Sequence, residues 1–127
     1  FGLAERDGEL VGYVLAYNYE QLHVAREHLP YIGNTWTFLL EQDDPQLVNI
    51  DHIAVDPEYQ LQGIGKQLIE YVHSFYPTGH LWTEACHGPV KNEFAITFFE
   101  TLGFQLVHEH QDIGCEVGIY QLSHLEV

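Results

Sequence analysis

Between Gly63 and Phe75 the apolar residues Ile64, Leu68, Tyr71, Val72 and Phe75 recur at three- and four-residue intervals. That spacing gathers them on one face of a helix. The same period runs through Asn92 to Leu102, with Ala95, Phe98, Phe99 and Leu102 on one stripe and Gly103 as the stop. Elsewhere the chain favours strands. Gly2 to Glu5 and Glu9 to Tyr19 flank Asp7-Gly8, a two-residue turn signal, which predicts a hairpin whose long second strand covers Leu10 to Tyr17. Leu47 to Val55 and Leu81 to Cys86 read as strands, as do Phe104 to His108 and Glu116 to Leu122 around a turn near Asp112 to Gly114. Thr35 to Leu40, rich in β-formers, is expected to be a strand, and Glu20 to Leu29 a weak helix ending at Pro30. Strand and helix alternate through the second half. The expected fold is therefore an α/β domain with a mixed sheet, in which Leu47 to Val55 and Leu81 to Cys86 lie parallel.

The chain has 127 residues, 46% of them hydrophobic and 13% aromatic, so a core can form without disulfides or metals. One domain over 1–127 is expected, with no repeat, linker or low-complexity segment. No apolar run approaches a membrane span and no secretory signal is visible. With Cys86 and Cys115 far apart in sequence, reduced cysteines in a cytoplasmic protein are expected. The net charge of -15 changes the picture most. A field of that sign repels nucleic acid and anionic membranes and attracts cationic amines. The alternative is a general solubility trait. Either way, a site for an anionic ligand must be built from backbone dipoles, because Lys plus Arg number only 4.

Such a site is written at Ile50 to Leu68, where a strand enters a turn and a helix opens on Gly63-Ile64-Gly65. Unpaired amides at the positive end of a helix dipole form an anion site. Gly63 and Gly65 let a diphosphate approach the backbone closely. Lys66 opposes the dipole in the first helical turn, so helix stability does not explain it. The dinucleotide fingerprint needs a third glycine where Leu68 stands, and the phosphate-loop lysine motif is absent.

Gln60-Leu61-Gln62-Gly63-Ile64-Gly65 resembles the acyl-coenzyme A signature of the GNAT superfamily of N-acetyltransferases: Arg or Gln, two residues, Gly, one residue, Gly or Ala. Ile53 to Tyr59 is similar to what precedes that signature. Asn92-Glu93-Phe94-Ala95-Ile96-Thr97-Phe98-Phe99, followed by Leu102-Gly103-Phe104, is similar to the family's second motif. The resemblance runs from the hairpin onward and is weakest between Glu20 and Gln46. It implies a central twisted sheet in which the strand ending near Val55 and the strand from Leu81 splay apart. Acetyl-coenzyme A is the implied cofactor. Its pantetheine arm would pair with the backbone of Ile53, Ala54 and Val55, and the amides of Gln62, Gly63, Ile64, Gly65 and Lys66 would hold its pyrophosphate. Gln60, Asn92 and Phe98 would complete the site, with Phe99 near the sulfur. The implied function is acetyl transfer to a primary amine of a small molecule or protein in a ternary complex. The family also suggests a homodimer through the last strands.

This chain departs from the family in two respects. Position 99 is often tyrosine there, commonly assigned to protonate the leaving thiolate, and Phe99 cannot donate a proton. That motivates an alternative: a sensor or scaffold domain that holds acyl-coenzyme A without turnover. The family also opens with a strand and two helices that wall the acceptor site. This chain is expected to begin after them, or else to let Glu20 to Gly33 do part of their work.

For the proton taken from the amine, Asp51 on the central strand is the first candidate, as base or amine anchor. The alternative is a partly solvated strand-end acid. Strict alternation puts Asn49, Asp51, Ile53 and Val55 on one face and Ile50, His52 and Ala54 on the other, which keeps Asp51 and His52 apart. Glu84 and His87 rank second. Cys86 lacks a readable His-Asp pairing and is expected to pack. His108 and His110 share a strand face, but no third ligand follows at a diagnostic spacing, so no metal is expected.

Overall fold

A computed structural model describes residues 1–122. Strands β1 (Gly2–Arg6) and β2 (Glu9–Asn18) form the expected hairpin across Asp7-Gly8, both with positive φ. Helix α1 (Tyr19–His28) follows directly, because Asn18 and Gln21 make a reciprocal capping box that fixes its first turn. Helix α2 (Gly33–Glu41) comes next, then β3 (Leu47–Val55), a single 3-10 turn at Pro57–Tyr59, and α3 (Ile64–Phe75). Strand β4 (His80–Gly88), helix α4 (Glu93–Thr101), β5 (Phe104–Asp112) and β6 (Cys115–Leu122) complete the order.

The expected strand over Thr35 to Leu40 is instead the body of α2. Its β-forming residues are overridden by packing: Thr35 and Leu39, and Trp36 and Leu40, are four residues apart, and Thr35, Leu39 and Leu40 are buried on one helical face. Tertiary burial outweighs propensities worth only a few tenths of a kcal/mol per residue.

The six strands run in the order β1-β2-β3-β4-β6-β5. Only β3 and β4 are parallel, as expected for strands joined through a crossover helix. Helices α3 and α4 cover one face, where Ile64, Leu68, Ile69, Ile96 and Phe99 meet Val48, Ile50, Leu81 and Tyr120. On the other face α1 and α2 lay Leu22, Leu39 and Leu40 against Leu47, Trp82 and Ile119.

Two irregularities in β3 position the site. The first is a fork. The strands β3 and β4 pair from Leu47 opposite His80 to Ile50 opposite Thr83, and go no further. Both strands then continue, to Val55 and Gly88, without pairing each other. The second is a bulge. Leu15 of β2 stands opposite His52 while Ala16 stands opposite Ile50, so Asp51 is an extra residue. A bulge interrupts alternation and re-aims side chains.

Candidate active site

A cavity of about 500 Å³ opens beside the fork on the α3–α4 face. One wall is the end of β3 at Ile53, Ala54 and Val55, paired with β2 on one edge and left open by β4 on the other, and another is the start of α3 at Gly63, Ile64, Gly65 and Lys66. Helix α4 supplies Ala95, Phe98 and Phe99, with Asn92 at its head. Gly63 caps α3 in the left-handed conformation, at φ 81°, and no side chain caps the helix start. The amides there face the cavity as the positive end of a helix dipole. A Cβ on Gly65 would stand 2.8 Å from the Phe98 ring, so the glycine is what lets α4 close over the loop. At the lip, Leu61 is held at φ 66° and is 96% exposed. Such a conformation is strained for a side chain of that size.

The polar contacts around the loop are specific. Gln60 Nε2 donates to the Val55 carbonyl at 3.1 Å, tying the turn to the end of β3. Gln62 turns its side chain away, accepting from Arg6 at 2.7 Å. Two of the chain's cations, Arg6 and Lys66, therefore flank this loop. Asn92 Oδ1 accepts from the Ala95 amide at 3.1 Å, so it caps α4 while lining the cavity.

On the opposite face, under α2, the first residues past the fork are Asp51 and Glu84. The bulge turns Asp51 toward α2, where its Oδ1 accepts from Trp36 Nε1 at 3.2 Å. His52 Nε2 lies 3.5 Å from the other carboxylate oxygen, so these neighbours share a side, contrary to strict alternation. Ile53 and Val55 pack instead against the α3–α4 core. Glu84 Oε2 accepts from Thr35 Oγ1 at 2.7 Å. Burial pushes the Glu84 carboxyl above the usual carboxylate range, and the charges of Asp51 and Asp112 push the same way, while Thr35 and His52 pull it back. Asn49, one rung before the fork and opposite Trp82, is 1% exposed. Its side-chain amide and carbonyl, and Trp82 Nε1, lack hydrogen-bond partners among the described residues. Such orphaned groups cost about 1–3 kcal/mol each.

The structure thus brings Ile53, Ala54, Val55, Gln60, Gly63, Ile64, Gly65, Lys66, Asn92, Phe98 and Phe99 around one cavity, and turns the Gln62 side chain out of it. It brings Asp51 and Glu84 together on the other face. His87 is separated from Glu84: its Nε2 lies 2.6 Å from the Tyr120 hydroxyl on the α4 face, and its Nδ1 lies 3.5 Å from Glu109. His108 and His110 share a face as expected, with His108 stacked on Phe38 at 4.1 Å between ring centroids. Phe99 is 3% exposed, packed with Phe98 and Phe104. The sequence did not point to Arg6, Thr35, Trp36 or Asn49. A polar Asn in an otherwise apolar strand start was the one available signal.

Comparison with known proteins agrees with this architecture. The model of the acetyltransferase (GNAT) family matches residues 1–104, and the chain belongs to that family. No curated protein matches the sequence significantly. Among solved structures, an N-acetyltransferase from Staphylococcus aureus is similar with a TM-score of 0.67 at 16% identity, over 94% of this chain and 68% of that one. An acetyltransferase from Thermus thermophilus gives 0.64 at 18%, over 94% and 60%. An agmatine N-acetyltransferase in its apo form gives 0.64 at 18%, over 94% and 72%. At these identities the likeness is one of fold. No helix among the described residues is long and apolar enough to cross a membrane.

Proposed function

We propose that this chain transfers an acetyl or other short acyl group from acetyl-coenzyme A to a primary amine, directly, with both substrates bound. The observation that carries the reading is the fork: β3 and β4 part after Ile50 and Thr83, beside a helix start with no side-chain cap. The open edge of β3 at Ile53 to Val55 suits an extended amide-bearing chain, which can add to it as a strand does. The amides from Gly63 to Lys66 suit a diphosphate, with Lys66 and Arg6 adding charge where the rest of the molecule repels anions. The bound thioester supplies an activated acyl group. Everything else falls to the chain's own residues.

The amine side is read as the α2 face. Glu84 Oε1, left free by the Thr35 bond to Oε2, is the proton acceptor. A carboxyl raised by burial is matched to an amine better than an ordinary one, since a base works best with a pKa near the operating pH. Asp51, braced by Trp36, anchors and orients the cationic amine. Helix α2 does the work expected of the family's acceptor wall. A cationic acceptor is favoured by the acidic face and the net charge of -15. The agmatine N-acetyltransferase in the structural comparison is consistent with that class.

Thiol release from acetyl-coenzyme A across a panel of amines tests the reading. Turnover with a mono- or dicationic amine is the expected result, and no cofactor binding at millimolar concentration overturns it. One observation favours a second reading, binding without turnover: Phe99 stands where a proton donor to the thiolate is expected. A thiol leaves as thiolate without help at neutral pH, its pKa being ~8.5. Phe99→Tyr is therefore expected to speed transfer by roughly tenfold, less than the ~10²–10⁴-fold typical of general-acid assistance because the thiolate is already a tolerable leaving group. Cofactor binding with no turnover in either form selects the second reading.

A further inference from the structure

The chain's 4 Lys and Arg side chains are unevenly placed. Lys66 lines the cavity, Lys91 directly precedes the lining residue Asn92, and Arg6 bonds to Gln62 in the loop before α3. Arg26 stands apart on α1, 3.1 Å from His23. The ion pairs among the described residues all use histidine, so no carboxylate neutralises these cations. Arg6 is the clearest case. Its cross-strand partner is Glu9, and Glu5 and Asp7 adjoin it in the chain. Yet its Nη1 donates to Gln62 Oε1 at 2.7 Å, across the loop. A neutral carbonyl orients the guanidinium without cancelling its charge. That is the one side-chain hydrogen bond Arg6 makes among the described residues, so the other N–H groups of the fork are open to a ligand.

The hairpin that carries Arg6 projects past the end of β3. Gly12 stands opposite Val55, and the Asp56 amide donates to the Val11 carbonyl at 2.7 Å, so residues 6–9 lie further out still. Arg6 does not line the cavity; it stands outside, across Gln62 from the amides at Gly63 to Lys66. We propose, on the coenzyme A reading of the cavity, that Arg6 binds the 3′-phosphate on the cofactor's ribose and so selects coenzyme A over forms that lack this group. Coenzyme A carries both a diphosphate and a phosphomonoester. The helix start matches the diphosphate, which leaves the phosphomonoester, at the nucleotide end, to be met further out. With pantetheine along Ile53 to Val55 and the diphosphate on the loop, the nucleotide leaves the cavity where the hairpin tip stands. A planar guanidinium fits a phosphate through two parallel N–H···O bonds. The bond to Gln62 holds the fork at the loop in advance, which lowers the cost of ordering it.

Calorimetric titration with coenzyme A and with 3′-dephospho-coenzyme A tests it. Wild-type protein is expected to bind the first about tenfold more tightly, as for a hydrogen-bonded charge pair. Arg6→Gln is expected to lose most of that preference by weakening coenzyme A alone. Its unchanged affinity for the dephospho form then shows that the fold and the rest of the site are intact. Lys91→Gln removes an equal charge from another rim and is expected to keep the preference. Equal affinity of wild type for the two ligands, or an Arg6→Gln variant that keeps the preference or weakens both alike, overturns the role of Arg6 and leaves the coenzyme A reading standing. Loss of the preference in Lys91→Gln overturns that role as well. Wild-type protein that binds neither ligand ends the coenzyme A reading itself, and the role of Arg6 with it.

Discussion

Glu84 is a half-buried acid whose environment disfavours its charge, and this makes two effects separable. Because its carboxyl is raised in the folded chain, the protonated form is the one the fold favours. Its contribution to stability is full below the ordinary carboxylate range and is lost as pH rises through the raised value. Glu84→Gln is therefore expected to cut transfer by roughly 10²–10⁴-fold. Yet the melting temperature of the variant should gain on the wild type as pH rises from 5 to 8, and thermal melts across that range check it. A gap that stays constant would mean the carboxyl is not desolvated. Glu84 and Asp51 were legible as acids in apolar strands. Their facing was not, because the extra residue at Asp51 breaks the period-two rule locally. No sequence pattern announces such a bulge.

Helix α3 was readable nearly to the residue, since its apolar stripe and the glycine at its start are both local signals. The turn into it, opening on Gly63 without a side-chain cap, was readable on the same grounds. Helix α2 was not, because Thr35, Trp36, Thr37 and Phe38 each prefer strands and only the burial of Thr35, Leu39 and Leu40 decides for a helix. The junction of α3 and α4 rests on one close approach, between Gly65 and the Phe98 ring. Gly65→Ala is expected to displace that ring and weaken coenzyme A binding about tenfold, ~1.4 kcal/mol. Shrinking the ring with Phe98→Leu in the same chain should recover part of the loss, as for any pair in direct contact. Calorimetric titration of the single and double variants measures both. Equal affinity for Gly65→Ala and wild type would show that the approach of α4 does not shape the site.

Taken whole, the molecule presents a strongly negative surface around one small cationic neighbourhood at Arg6 and Lys66. That arrangement predicts salt effects of opposite sign for the two substrates. Between about 10 mM and 150 mM salt the screening length falls from about 30 Å to about 8 Å. Over that range coenzyme A, an anion, is expected to bind several-fold more tightly, while KM for a cationic amine rises. Equilibrium binding and initial rates over a salt series distinguish the two, and parallel trends would contradict the charge argument. The mixed sheet, its parallel central pair and the places of α3 and α4 were legible from the alternation of patterns. The division of labour between the two faces was not, because it follows from where the fork falls relative to the bulge. The account depends on that fork and on the amides beside it. Backbone NMR of the protein titrated with coenzyme A tests it most directly. The largest amide shifts are predicted at Gly63 to Lys66 and along Ile53 to Val55. Saturating ligand that leaves those amides unmoved, or that moves a different surface, would contradict it.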